Sequence, residues 1–193
     1  MKNIAQIILA SQSKRRSDIL KQLKIKHTVM VSDVEEDNDA FCDPWKLVMH
    51  HAEHKAKSIA KKNHEAVVIG ADTVVVLDNK IYGKPRSMQE AELFFEKFMG
   101  REIEVLTGLV VMYKGKMGQG VEKTALRVRS FPMAEARKFL KALDNPLDRA
   151  GGFSMEGIES VMFDNINGSY FNVLGLPVGL LYDLCKEVGV HLI

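Results

Sequence analysis

The segment Ala66–Pro85, AVVIGADTVVVLDNKIYGKP, constrains this chain more than any other, because it must be sheet and must also carry reactive groups. Val67, Val68 and Ile69 form a short apolar run, the pattern of a buried strand; Gly70-Ala71 at its end mark a place where something approaches the backbone closely. Asp72 follows at once. Thr73 to Leu77 is a second run rich in β-branched residues, Asp78-Asn79-Lys80 breaks it as a turn, and Ile81-Tyr82 resume an extended segment. That return brings Gly83-Lys84-Pro85 back toward the first strand, so that one carboxylate and one ammonium face a common cleft. Such a pair suits metal-bound phosphates, since Asp holds a divalent cation or a water while Lys neutralises oxygen charge. A tight hairpin with a surface lysine satisfies the same local pattern.

Ahead of this segment, Ile4–Ala10 reads as a strand and Ser11-Gln12-Ser13 as hydroxyls at the start of a helix, Lys14 to Leu23. Lys14, Arg15 and Arg16 crowd its first turn, against the preference of a helix N-terminus for anions. An anionic ligand would use that arrangement, with N–H groups, hydroxyls and guanidinium forks converging on phosphate oxygens; a solvated basic face is the commoner use of adjacent charges. Thr28–Ser32 predicts a second strand. The acidic loop Asp33–Asp37 follows, with four carboxylates in five residues, read either as a metal-ligand source or as a solvated turn. From Pro44 to Lys62 the pattern is helical, with Val48, Ala52, Ala56 and Ile59 on one side and Lys55 beside that stripe, placed to reach inward or to snorkel. His50 and His54 have the spacing of a metal pair, but no glutamate lies between them in the HExxH arrangement, so no zinc site is expected.

Past the central segment, Ser87-Met88-Gln89-Glu90 is a capping box for a helix running to Met99, with Gly100 as its stop. Glu102–Tyr113, the turn Lys114-Gly115-Lys116 and the return Gln119–Phe131 predict a long hairpin, and Thr107-Gly108 suggests a bulge or a close ligand approach within it. Pro132 opens a helix through Leu143. Ala150-Gly151-Gly152-Phe153 places two glycines where a backbone must come close to something. Gly168-Ser169-Tyr170 is a turn, and Gly175-Leu176-Pro177 begins the last helix, with Cys185 on its core face as a packing residue. Helices alternate with strands early and a hairpin comes late, so the class is α/β with a mixed sheet, in one domain over residues 1–193 with two lobes.

Bulk properties exclude more than they assert. A net charge of +2 and a pI near 8.4 give no field that calls for nucleic acid or a membrane surface, and no apolar stretch approaches spanning length. Two cysteines without metal-like spacing, ten methionines and the lack of an export-type apolar run predict a reducing, cytoplasmic setting.

The ordered set Leu9-Ala10-Ser11-Gln12-Ser13-Lys14-Arg15-Arg16, Val34-Glu35-Glu36, Lys55-Ala56, Gly70-Ala71-Asp72-Thr73-Val74, Gly83-Lys84-Pro85, Thr107-Gly108, Ala150-Gly151-Gly152-Phe153, Gly168-Ser169-Tyr170 and Gly175-Leu176-Pro177 resembles the Maf family of nucleoside triphosphate pyrophosphatases. The resemblance implies a two-lobed, inosine-triphosphatase-like fold with an elongated sheet and a central cleft. It also implies hydrolysis of a nucleoside triphosphate to monophosphate and pyrophosphate with Mg²⁺ or Mn²⁺, and makes a homodimer reasonable. By position, Asp72 would be the catalytic proton acceptor, Ser11, Arg16, Lys55 and Lys84 would hold phosphates, and Glu36 with Asp72 would place the metal. A nucleotide-binding regulator of cell division, without turnover, is the alternative on the same fold.

Two departures matter. Lys14 stands where the family usually has proline, which alters the start of the helix. Of three positions linked in the family to base choice, Arg15 and Thr73 match members that hydrolyse dTTP and UTP, whereas Glu156 stands where those members have Gln and resembles the branch acting on 7-methyl-GTP. A Gln amide meets the acceptor and donor pattern of a pyrimidine edge; a carboxylate accepts the paired donors of guanine. The base is therefore open on sequence.

Overall fold

The sheet is built around one strand, β3 (Val67–Leu77), buried at every position except the half-buried Thr73. The computed structural model describes residues 5–32, 41–142 and 145–192. Where the sequence reads as two runs separated at Gly70-Ala71, the strand is continuous. Its neighbour β5 (Glu102–Tyr113) pairs with it without a break, from Val68↔Met112 to Val76↔Glu104. Asp72 is consequently a mid-strand residue, directly opposite Gly108.

The other strands are β1 (Ile7–Leu9), β2 (Thr28–Val29), β4 (Lys80–Tyr82), β6 (Lys116–Val128) and β7 (Phe163–Asn167), in the order β2-β1-β3-β5-β6-β7 with β4 also on β3. β2 and β3 run parallel to β1, and every other pairing is antiparallel, so the sheet is mixed, as expected. β2 is shorter than Thr28–Ser32 because β1 offers only Ile8 and Leu9 to pair with it before the chain turns away. β6 begins earlier than Gln119: Lys114 and Gly115 take positive φ, a two-residue turn that lets Tyr113 pair at once with Lys116. One edge of β3 is shared. β1 occupies Val67–Ile69 and β4 occupies Val75–Leu77, which leaves Gly70–Val74 without a strand on that side among the described residues.

The helices are α1 (Lys14–Gln22), α2 (Pro44–Ala60), α3 (Met88–Phe98), α4 (Met133–Ala142), α5 (Tyr170–Val173) and α6 (Val178–Glu187). α2 starts on Asp43, whose side chain accepts from Trp45 N at 2.9 Å, with Pro44 at the first position. It lies on one face of the sheet over β3 and β5, packing Leu47, Val48, Ala52 and Ala56 over Val68, Val74, Val76, Leu106 and Val110. The approach is close: a Cβ on Gly70 would fall 2.3 Å from Ala52 O, and one on Gly108 2.4 Å from Val48 O. The sequence reading of Gly108 as a bulge is thereby corrected. The register there is unbroken, and the missing side chain makes room for helix backbone.

The opposite face carries two separate cores. Val67, Ile69, Ala71, Leu109 and Val111 pack against α1 and α6, whereas Val75, Leu77, Ile103 and Val105 pack against Phe95 and Phe98 of α3 and Leu140 of α4. Between them lies the cross-strand pair Thr73 and Thr107, with hydroxyl oxygens 3.0 Å apart. The two hydroxyls satisfy one another at this seam, and the apolar clusters lie on either side of it. Among the described residues no helix is long and apolar enough to cross a membrane.

Candidate active site

The unpaired stretch of β3 opens into a cleft bounded by the β1–α1 loop, the β4–α3 loop and the loop before α6. At its floor Asp72 is held by two donors from α2. Lys55 Nζ lies 2.8 Å from Oδ1, and His51 Nδ1 lies 3.1 Å from Oδ2. All three groups are buried. Burial pushes the Asp72 carboxyl upward, but the His51 hydrogen bond, Lys55 and Arg16 together outweigh it and hold the group below the usual carboxylate range. A carboxylate only accepts, so His51 Nδ1 carries the proton. This contact depends on the two glycines: residues 70, 72 and, across the ladder, 108 share the face beneath α2, and without Cβ atoms beside Asp72 the helix sits low enough for Lys55 to reach it.

Arg16, also buried, ties the other wall. Nε donates to Gly175 O at 2.7 Å, Nη1 to Ser11 Oγ at 2.9 Å and Ala71 O at 3.0 Å, and Nη2 to Thr73 Oγ1 at 2.9 Å. Its charge therefore enters the cleft as a fixed point, with the guanidinium fork already joining α1, β3 and the α5–α6 link. Ser11 Oγ accepts from Ser13 N as well, at 3.2 Å. Having accepted twice, the hydroxyl has its proton left to offer an incoming oxygen. Arg16→Lys should lower unfolding stability by about 3 kcal/mol, because an ammonium cannot reproduce a fork whose charged hydrogen bonds are individually worth roughly 1.5–3 kcal/mol. Urea unfolding checks this, and an unchanged midpoint would show that the fork is not a structural tie.

Of the remaining sequence candidates, Arg15, Thr73 and Lys84 line the cleft. Burial, then the neighbouring Arg149 and Arg16, pull Arg15 down to about 10, which leaves it charged at neutral pH. Arg149 Nη1 is itself buried with no acceptor among the described residues. Lys84 pairs with Asp148 at 2.7 Å, both about half exposed; an exposed pair is worth about 0–1 kcal/mol, so an anion can replace Asp148 at little cost. Glu156 is exposed and is not part of the cleft lining, yet its charge acts on Arg15 and on Tyr170. Glu36 lies outside the described residues. Cys185 is buried on α6 with its thiol pushed up to about 12 by burial, the state of a packing residue.

His51 is the residue sequence reasoning missed. His50 and His54 drew the metal question; their ring centroids lie 3.9 Å apart with the planes tilted by 45°, and neither lines the cleft. The signal was present: 51 and 55 are spaced i, i+4 beside the buried stripe, so whichever faces the strand brings the other with it.

The structure is that of an α/β protein with a mixed sheet, whose open edge carries a cleft with an ionised carboxylate at its floor and guanidinium, ammonium and hydroxyl donors around it. The match to the family described as Maf-like protein covers residues 6–188, and the chain belongs to that family. It is 37% identical over 190 residues to a dTTP/UTP pyrophosphatase of Desulforamulus reducens, covering 97% of this chain and 98% of the relative. A dTTP/UTP pyrophosphatase of Clostridium botulinum strain Okra is 36% identical over 198 residues, with both chains covered fully. The solved structure of the Staphylococcus aureus Ham1 protein aligns with 64% of this chain and 71% of its own, at 16% identity and a TM-score of 0.47.

Proposed function

We propose that this protein hydrolyses dTTP and UTP to the monophosphate and pyrophosphate. The observation that carries the reading is Asp72, kept ionised at the floor of a cationic cleft in a chain whose full-length relatives carry that activity in their names. A triphosphate brings about four negative charges, and unit charges a few ångströms apart interact by several kcal/mol at protein-like dielectric. The repulsion among Arg15, Arg16 and Arg149 is relieved by such a ligand. Lys84 and the Ser11 hydroxyl contact phosphate oxygens, Arg16 contributes its fixed charge, and Lys55 balances Asp72. Asp72 then accepts the proton of a water attacking in line.

The donor set fits a divalent cation. Asp72 retains lone pairs beyond those taken by Lys55 and His51, and a small hard cation is commonly held by one or two carboxylates plus substrate phosphates. Among the described residues no cluster of three or more metal-ligating side chains exists, so Asp72 and the triphosphate would share the ion, with Glu36 as the sequence candidate for a second ligand. Mg²⁺ or Mn²⁺ would neutralise phosphate oxygens and sharpen the electrophile.

A second reading of the base comes from Glu156. A carboxylate here accepts from guanine donors and attracts a cationic 7-methylguanine, while the nearby Arg15 offsets part of its charge. Glu156→Gln should shift the ratio of kcat/KM for UTP over 7-methyl-GTP upward by roughly tenfold or more, the value of one charge-assisted hydrogen bond. An unchanged ratio would remove Glu156 from base selection.

The decisive assay is stoichiometric pyrophosphate release from a panel of natural and methylated nucleoside triphosphates, with Mg²⁺ or Mn²⁺. Tight nucleotide binding without pyrophosphate would make the chain a nucleotide-responsive regulator instead.

A further inference from the structure

We infer that His51 is a positioning residue for the reaction: its Nδ1–H fixes the plane of the Asp72 carboxylate, so that the oxygen facing the cleft is aimed at the attacking water. The inference rests on the pyrophosphatase reading and goes beyond it, because it assigns His51 the orientation of the Asp72 carboxylate as well as a share in keeping it charged. A carboxylate with one donor can still turn about its terminal torsion, which is broad and only two-fold. Lys55 Nζ is a point donor, 2.8 Å from Oδ1 and 3.4 Å from Ala71 O, and it contacts the carboxylate at that one oxygen without setting its plane. His51 approaches the other oxygen at 3.1 Å from a ring that is 3% exposed and confined on α2. With one donor on each oxygen, both from the same helix, rotation is stopped and one lone pair on each oxygen remains for the cleft. The backbone reinforces the arrangement: Asp72 lies in an unbroken ladder opposite Gly108, and α2 is seated on Gly70 and Gly108. Donor and acceptor thus both sit on rigid elements, the condition under which orientation is maintained through a catalytic cycle.

Three variants test this. Leucine at position 51 keeps bulk and removes the donor; asparagine presents an amide N–H close to the Nδ1 position; glutamine presents one near Nε2. His51→Leu should lower kcat about 10- to 100-fold, the scale of a small misplacement of a reacting group, with KM for the nucleotide within about threefold. His51→Asn should recover most of kcat, and His51→Gln should not. A kcat for His51→Leu near the wild-type value, a parallel rise in KM, or equal losses in the Leu and Asn variants would overturn the inference. Should the Leu variant fail to fold, the Asn and Gln variants decide it, and equal kcat in those two overturns it. Should the wild-type chain release no pyrophosphate, the pyrophosphatase reading falls by itself. The ¹⁵N spectrum of the histidines then decides His51: a protonated Nδ1 that responds to Asp72→Asn upholds its placement, and a bare Nδ1 rejects it.

Discussion

Asp72→Asn is expected to bind metal-free nucleotide as tightly as the wild type and to lose metal-supported turnover by about 10²- to 10⁴-fold, the contribution typical of a positioned general base. The substitution is close to shape-neutral. The amide oxygen can still accept from Lys55, and the amide N–H can donate to His51 once the imidazole exchanges its proton to the other nitrogen. What disappears is the charge and the basic lone pair. Removing an anion from a cleft meant for a polyanion does not weaken binding, so the effect falls on kcat. Single-turnover pyrophosphate release with a parallel binding titration measures both, and near-normal turnover would take Asp72 out of the chemical step. The variant should also change the acid limb of stability. Asp72 titrates below its unfolded value of about 3.9. Its stabilising contribution is therefore complete above that pH and is lost as pH falls through the lower folded value. The wild type should lose stability across that acid window more steeply than the Asn variant.

Gly70→Ala is expected to be the most damaging small substitution, removing about 3 kcal/mol or more of stability and most activity together. The added Cβ would meet Ala52 O at 2.3 Å, Ala56 N at 2.8 Å and Ala56 Cβ at 2.9 Å. None of these belongs to a side chain that can swing aside; all are fixed parts of α2. Relief requires the helix to rise by about 1 Å toward ordinary contact, which opens the interface over Val68 and Val110 and stretches the 2.8 Å Lys55–Asp72 pair. A buried pair broken on one side costs about 3–5 kcal/mol, against total stabilities of about 5–15 kcal/mol. Gly179→Ala is the control, since a Cβ there meets nothing within 4 Å. Urea unfolding of the two variants compares them. A Gly70 variant within 1 kcal/mol of wild type would sink the account of why α2 sits so low.

Much of this was legible in the chain. The Ser87 cap, the Asp78-Asn79 turn and the stripe on α2 are local signals, and each became the expected element; the two β-branched runs are extended as expected but form one strand, β3. The Ser11 and Arg16 segment, Lys55, Asp72 and Lys84 were legible as candidates because their residue types recur in one order, and the fold brings them to one cleft. The close approach at Gly70 was also legible; its partner was not. A glycine announces missing volume but cannot say whether a ligand or a helix fills it.

Sequence alone determined the family, the α/β class and the identity of several charged groups that line the cleft, since these follow from local periodicity and from residue types in a fixed order. Tertiary structure decided the rest. It made β3 one strand with β1 and β4 sharing its edge, it placed His51 on Asp72, and it made Arg16 a tie between α1, β3 and the α5–α6 link. The physical reason is that ladder register and helix seating are set by contacts between residues far apart in the chain, and a difference of about one ångström there decides which charges touch.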